Sequence, residues 1–391
     1  MKAWPRIKLR DVLSLDLNKE QIDASKRYEM VGVLSFGRGL FNREAVESGG
    51  TSYKYFLRLK EDHVVMSQLF GWEGALALSS AEFKGRYVSP QFPTFLCDQD
   101  RIDRHFLGWV MRQPGFWHDL GSRAKGMGDR RRTLNPEALL ESEAPLPPLA
   151  KQQALAAHLD ALAEKTRQVE AHLNAVERGA EHLLALRFRD AIADAPLRPM
   201  AEVAPLVRRE QAIELDGSYL ELGIRSFGKG TFHKPPLSGS EVGTKRLYRI
   251  EPGDLLFSNV FAWEGAIAIA QPEDAGRFGS HRFITCRADT ELTSAEFLRY
   301  YFLTEQGMLK IREASPGGAG RNRTLGLEKL MAIEVPIPPL ATKQSFDRLQ
   351  AEVAALKAKH DAIREANAAL LPATLERVFG QQEMQGEIHA R

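Results

Sequence analysis

Several stretches of this chain invite a search for chemistry. Gly223-Ile-Arg-Ser-Phe-Gly228-Lys229 has the outline of a phosphate-binding loop, in which backbone N–H groups cradle phosphate and a lysine reaches it. That loop needs Ser or Thr next to hold magnesium, and the residue is Gly230. Ser35-Phe-Gly-Arg-Gly has the composition of the glycine-rich loop of adenosylmethionine-dependent methyltransferases, but not its FxGxG spacing, and no DPPY- or NPPY-like segment accompanies it. Trp72-Glu73 and Trp263-Glu264 could be drawn as active-site pairs, although a Trp beside glycines at a strand edge is more commonly a packing residue. No HExxH, paired CxxC or Ser-His-Asp signature occurs. Of the ten histidines, His158, His172, His182 and His360 lie in helical stretches, where a solvated or seam position is the ordinary reading. The residues do not assemble a reaction.

They do repeat. SFGRGLF begins at Ser35 and SFGKGTF at Ser226, 191 residues later. The same offset joins Trp72 to Trp263 within LFGWEGALAL and VFAWEGAIAI, Gly85-Arg86 to Gly276-Arg277, and Ser89 to Ser280. It also joins RRRTL from Arg130 to RNRTL from Arg321, and PLPPLA from Pro145 to PIPPLA from Pro336. No gap is needed between these matches. The period is too long for a solenoid, so the chain is a tandem duplication of a domain-sized unit.

Each unit reads as a mixed head followed by a helical rod. Short β-like runs such as Phe56–Leu59, His63–Met66 and Ala75–Leu78 are separated by glycine-bearing turns. In the second copy Thr293-Ser-Ala-Glu296 is a capping-box pattern that predicts one amphipathic helix through EFLRYYFLTEQGMLKI. The proline segments end each head, because proline cannot continue a helix. Beyond them Leu155, Leu159, Leu162, Val169, Leu173, Val176 and Leu183 recur at coiled-coil spacings, as do Phe346, Leu349, Val353, Leu356, Ile363 and Leu370. The rods are expected to bury these stripes against each other. With two related units the closed arrangement is an antiparallel, pseudo-two-fold pair with the heads at opposite ends. The resulting division is a first head over 1–149, a central long helix over 150–192, a second head over 193–340, a distal long helix over 341–380 and a tail over 381–391.

Length and composition suit a soluble protein of two or three domains, and the net charge of +2 says little about partners by itself. The amino-terminal residues lack the apolar run of a signal peptide and no stretch is long enough to span a membrane, which predicts a cytoplasmic protein. Cys97 and Cys286, the only cysteines, are not repeat-equivalent, as expected of scattered thiols in a reducing compartment.

A unit bearing SFGRGLF, a WEGA strand, an RxRTL approach and a PLPPLAxQ exit into a long helix resembles the DNA-specificity subunit of type I restriction-modification enzymes. The likeness runs from WPRIKLRDV to LLPATLERVFG. It implies an α+β protein with two mixed target-recognition heads joined by two long helices in an antiparallel coiled coil. It implies no catalysis, no cofactor and no metal in this polypeptide. Adenine methylation would belong to two modification subunits and cleavage to ATP-dependent restriction subunits, all partners of this chain on double-stranded DNA.

Reading DNA requires cations for phosphates and forked donors for base edges. The first head supplies Arg38, Arg43, Lys54, Arg58, Arg130 and Arg132, and the second supplies Lys229, Lys234, Lys245, Arg249, Arg321 and Arg323 at the same six offsets. Each pair keeps its charge. Cations in turns are commonly no more than solvated surface, and the bias toward contact is greatest for the Arg130–Arg132 and Arg321–Arg323 loops. The glycines Gly37, Gly39, Gly126, Gly128, Gly228, Gly230, Gly318 and Gly320 beside them would let loops approach a groove closely. Related heads predict a bipartite, near-palindromic target. The exchanges Asn42 for His233, Gln91 for Arg282 and Arg131 for Asn322 allow the half-sites to differ. Two other classes compete: a two-headed scaffold for RNA or protein, and a stand-alone DNA-modifying enzyme.

Overall fold

A computed structural model describes residues 4–23, 25–124, 132–317 and 323–380. The chain divides into two compact units. One takes the residues up to His172 together with those from Ala362 onward, and the other spans Leu173–Asp361.

In the first unit the apolar runs become the centre of a four-stranded antiparallel sheet. Its order is Leu76–Leu78, Val64–Met66, Thr94–Cys97, Leu13–Leu15. Val64, Val65, Met66 and Phe95 are fully buried, as strands covered on both faces require. A second sheet sets Tyr55–Arg58 between Tyr87–Val88 and Lys19–Gln21. Phe106, Trp109, Phe116 and Leu120 pack against the first sheet from two short helices, Arg104–Val110 and Pro114–Ser122. Leu159 of the first long helix and Phe379 join the same core, the latter in edge contact with Trp4 at 6.4 Å between ring centroids.

The second unit repeats this topology. Ile267–Ile269, Leu255–Ser258 and Phe283–Cys286 form the central sheet, and Leu206 bridges Cys286 where Leu15 pairs with Phe95. A parallel pairing recurs as well, Met30 with Tyr87 and Glu221 with Phe278. Phe188 and Phe346, one from each long helix, enter this unit's core against Tyr300 at 4.8 and 4.9 Å. Burial pushes the thiols of Cys97 and Cys286 up to about 12, which suits inert packing residues.

Two sequence expectations need correction. The single helix over EFLRYYFLTEQGMLKI is two helices, Ala295–Leu303 and Glu305–Glu313. The cap of the first is Ser294, which accepts the Phe297 N–H, and Thr304 interrupts the run by capping the second. The other correction concerns the rods. The helices Leu149–Ile192 and Leu340–Leu375 start directly after Pro147-Pro148 and Pro338-Pro339, as expected. Their seams keep only part of the apolar stripes, however: Leu159, Leu173, Phe346 and Val353 are buried, whereas Val169, Leu183, Ile363 and Leu370 are exposed. The inward positions of the first helix are Gln152, Ala156, Leu159, Ala163, Thr166 and Glu170 in one unit, and Leu173, Glu177, Ala180, Leu184 and Phe188 in the other. Counting apolar residues alone misses this heptad because polar groups occupy part of it.

Those polar groups are held across the helix pair. In the first unit the Arg364 Nε donates to Glu170 at 3.1 Å and the Asn367 amide donates to the Thr166 carbonyl at 3.0 Å. In the second unit Lys357 donates to Glu181 at 2.6 Å, and His360 Nδ1 lies 2.9 Å from Glu177. Within each unit the residue number falls on one helix as it rises on the other, so the pairing is antiparallel. Among the described residues no helix is long and apolar enough to cross a membrane.

Candidate functional site

Three of the repeated motifs, far apart in sequence, meet at one place in each unit. Gly71–Glu73 and Ala262–Glu264 form single 3-10 turns, closed by left-handed Gly74 and Gly265. The heptapeptide is the tip of a β-hairpin that docks on that turn. In the first unit the Phe36 and Gly37 N–H groups donate to the Glu73 and Gly74 carbonyls at 2.8 and 2.9 Å. In the second unit Phe227 and Gly228 do the same to Glu264 and Gly265 at 2.9 and 2.8 Å. The serine that opens each heptapeptide donates to the Glu carboxylate, Ser35 to Glu73 at 3.3 Å and Ser226 to Glu264 at 3.1 Å. The third motif arrives through Leu134 and Leu325, whose N–H groups donate to the Gln68 and Asn259 carbonyls at 2.8 Å.

This arrangement settles what the Trp-Glu pairs do locally. Each tryptophan donates its indole N–H to the carbonyl three residues earlier, Leu69 or Val260. Its ring then receives the arginine of the third motif. Arg132 stands 5.7 Å over Trp72, and Arg323 stands 5.5 Å over Trp263. Arg38 and Lys229 curl over the aromatic ring of their own tip, at 5.8 Å from Phe36 and 5.9 Å from Phe227. Cation on ring is a modest attraction at exposed sites, about 0.5–1 kcal/mol, enough to orient a flexible side chain without immobilising it.

The other expected cations are placed less uniformly. Arg43 is exposed and lines a surface hollow of about 630 Å³ with Phe41 and Tyr53. Its counterpart Lys234 reaches the buried carboxylate of Glu221 at 3.9 Å. Lys54 and Lys245 are exposed just before strands. Arg58 is exposed on its strand, whereas Arg249 pairs with Glu251 at 3.4 Å. Arg130 and Arg321 lie outside the described residues, as do Arg131, Asn322, Gly126, Gly128, Gly318 and Gly320. The structure therefore brings Arg38 with Arg132, and Lys229 with Arg323, to one motif cluster per unit, and leaves the remaining pairs on neighbouring strands and turns.

Sequence reasoning missed the aromatics of this cluster. Phe36, Phe70, Phe227 and Phe261 are all exposed there. The signal was present, since each phenylalanine sits inside a repeated motif, and Phe36, Phe70 and Phe227 adjoin a glycine that cannot bury it. A second missed feature is an arginine behind each tip. Arg299 donates to the Gly228 carbonyl at 2.6 Å, and burial holds its guanidinium below the usual arginine value. In the first unit Gly108 stands at the position of Arg299, and the cation comes one helical turn later from Arg112, which packs against Gly37 and over Trp109 at 4.2 Å.

Neither a family model nor a curated protein matches this sequence. Solved structures do. The chain is similar to the HsdS subunit from Thermoanaerobacter tengcongensis, with a TM-score of 0.59 and 19% identity over 96% of each chain. It is also similar to a chain from a structure described as the basis of complex assembly and conformational transition of the type I restriction-modification system. There the TM-score is 0.61 and the identity 18%, covering 98% of this chain and 97% of that one. At these identities the likeness is one of fold: the chain has the mixed α+β fold, with two heads and long helices, of the type I specificity subunits.

Proposed function

We propose that this protein is the non-catalytic DNA-recognition subunit of a type I restriction-modification complex and works in the cytoplasm. Each head reads half of a bipartite, near-palindromic target, and the chain docks two methyltransferase subunits and the ATP-dependent restriction subunits. One observation carries the reading. Three of the motifs that the duplication preserves converge in each unit on a cluster of exposed aromatics and cations, in which the Ser35–Glu73 and Ser226–Glu264 bonds tie the tip to the turn beneath it. Cations at such a cluster supply phosphate contact and base-edge donors, while rings supply stacking surface. The long helices have 44 and 36 residues, about 66 and 54 Å at 1.5 Å per residue. One turn of duplex is about 34 Å, so rods of this length suit a spacer between half-sites.

The test is selection of bound sequences from a randomised duplex pool by the full chain, alongside mapping of methylated adenines in a host that expresses the system. Two related half-sites in inverted orientation, separated by unread base pairs, are expected. Arg132→Ala should lose about 1–3 kcal/mol and relax one half-site only, and Arg323→Ala the other. Binding of RNA with no binding of duplex, or turnover of adenosylmethionine by the chain alone, would overturn the assignment.

A further inference from the structure

The repeated tip places a bulky residue in strained backbone and leaves its ring in solvent, twice. Among the described residues only Phe36, Asp62 and Phe227 are non-glycine residues with positive φ, and the two phenylalanines have φ of 62° and 61°. A bulky side chain there is a true outlier, and such strain persists where the surroundings enforce it. The surroundings do so here: the N–H groups of Phe36, Gly37, Phe227 and Gly228 are all spent on the Trp-Glu-Gly turn. Those four donors are therefore not available for an anion nest. What it presents outward is a ring, 59% exposed at Phe36 and 74% at Phe227, and the turn on which it docks opens at another exposed ring, Phe70 or Phe261.

We propose that Phe36 and Phe227 are stacking wedges, each entering a DNA duplex at one base step and unstacking it while Arg38 or Lys229 holds the adjoining phosphate. Apolar wedges of this kind open base steps in proteins that deform DNA, and aromatic stacking tolerates any base. The inference rests on the DNA-reading function above. Two features favour DNA over a protein surface as the occupant. Each ring carries a cation on its own loop, and the neighbouring carboxylates, Glu73 and Glu264, are turned onto serine hydroxyls rather than outward. The tip thus offers stacking surface and positive charge, with its carboxylates engaged within the fold.

The experiment uses the full chain and a duplex that it selects from a randomised pool, with 2-aminopurine scanned through every adenine position. Wild-type protein should raise the fluorescence at one step in each half-site. Phe36→Asn should abolish the rise in one half and Phe227→Asn in the other, because asparagine tolerates left-handed backbone but cannot stack comparably. Affinity should fall about tenfold or more with the salt dependence unchanged, since the lost term is stacking and not phosphate contact. Phe36→Gly removes the strain and must give the same loss, which separates the wedge from misfolding, while Phe36→Trp should retain the signal. A wild-type chain that binds duplex with no fluorescence rise sinks the wedge and leaves the reading function standing. Failure to bind any duplex sinks both. Asn variants that keep the rise but no longer co-purify with their partner subunits would assign the tips to protein docking.

Discussion

The two units agree at their tips and disagree in their buried ion pairs, although both regions descend from the same duplicated sequence. At the tips Ser, Phe, Gly, Trp and Glu are identical between copies, and cation replaces cation. In the buried turns before the central strands the charges have changed sides. His63 in the first unit and Asp254 in the second occupy one repeat position, and both accept the N–H of the residue three before, Lys60 at 3.2 Å and Glu251 at 2.9 Å. The partner of His63 is a carboxylate, Asp16, at 2.9 Å. The partners of Asp254 are guanidiniums, Arg209 at 2.7 and 3.2 Å and Arg287 at 3.2 Å. A buried turn needs an acceptor and a compensating charge, and either polarity meets that need. The tip has kept a single solution, as a surface answering to something outside the chain would.

The comparison is broken most forcefully by Asp254→Ala. Asp254 is fully buried, and its loss removes the shared carboxylate from Arg209, Arg287 and a turn N–H, leaving the largely buried Arg209 with Glu251 at 3.2 Å and Arg287 with the Pro252 carbonyl at 2.8 Å. Destabilisation of about 3–5 kcal/mol is expected, confined to the second unit. His63→Ala should cost less, about 1–3 kcal/mol, because Asp16 keeps its bond to Lys60. Denaturant unfolding with hydrogen exchange resolved by peptide measures both, and equal costs would mean that the two pairs are not alternative solutions to one problem.

A smaller contrast lies beneath the tips. Gly74 and Gly265 have nearly the same φ, 76° and 78°, so alanine strains the backbone alike in both. Their surroundings differ. A Cβ on Gly74 would intrude on the Trp117 ring, whereas one on Gly265 would meet the Phe227 backbone at 3.4 Å, an ordinary contact. Gly74→Ala should therefore cost about 1–3 kcal/mol more than Gly265→Ala. It should also displace Trp117 from its edge contact with Phe36, 6.1 Å between centroids, which tryptophan emission would register.

Much of this was legible in the sequence, and the reasons for the rest are physical. The duplication, the mixed heads and the helix starts after the double prolines follow from residues whose spacing encodes local geometry, whereas the stacking of Arg132 on Trp72 and Arg323 on Trp263 joins segments some 60 residues apart and shows only in the fold. The seam did not, because Thr166, Glu170 and Glu177 face inward only in the company of Asn367, Arg364 and His360, and such pairing has no one-dimensional signature. The break at Thr304 was hidden by an unbroken apolar periodicity, which a hydroxyl cap overrides. The exposed phenylalanines were passed over because an aromatic in a motif is ordinarily core. Left-handed backbone at Phe36 becomes visible only once the turn beneath it is known.

The smallest effect expected is on acidification, and it separates the two buried pairs without a mutation. Burial is the largest influence on His63 and lowers its pKa below the ordinary 6.5, outweighing the attraction of Asp16. Asp16 itself is opposed by burial but held below its ordinary 3.8 by hydrogen bonds from Lys60 and His63. For both groups the unfolded chain binds the proton more readily than the fold. Their contribution is present above the unfolded value and is lost as pH falls through the folded one. His63 acts first, in the window just below 6.5, and Asp16 only in strong acid. In the second unit the equivalent pairing rests on Arg209, whose pKa is raised by its hydrogen bonds to Asp254, so its guanidinium stays charged throughout this range. Between pH 7 and pH 5, amide protection around Lys60 and His63 should fall relative to that around Glu251 and Asp254. In His63→Gln the two turns should respond alike. A difference that survives this substitution would place the pH sensitivity elsewhere and remove His63 from the account.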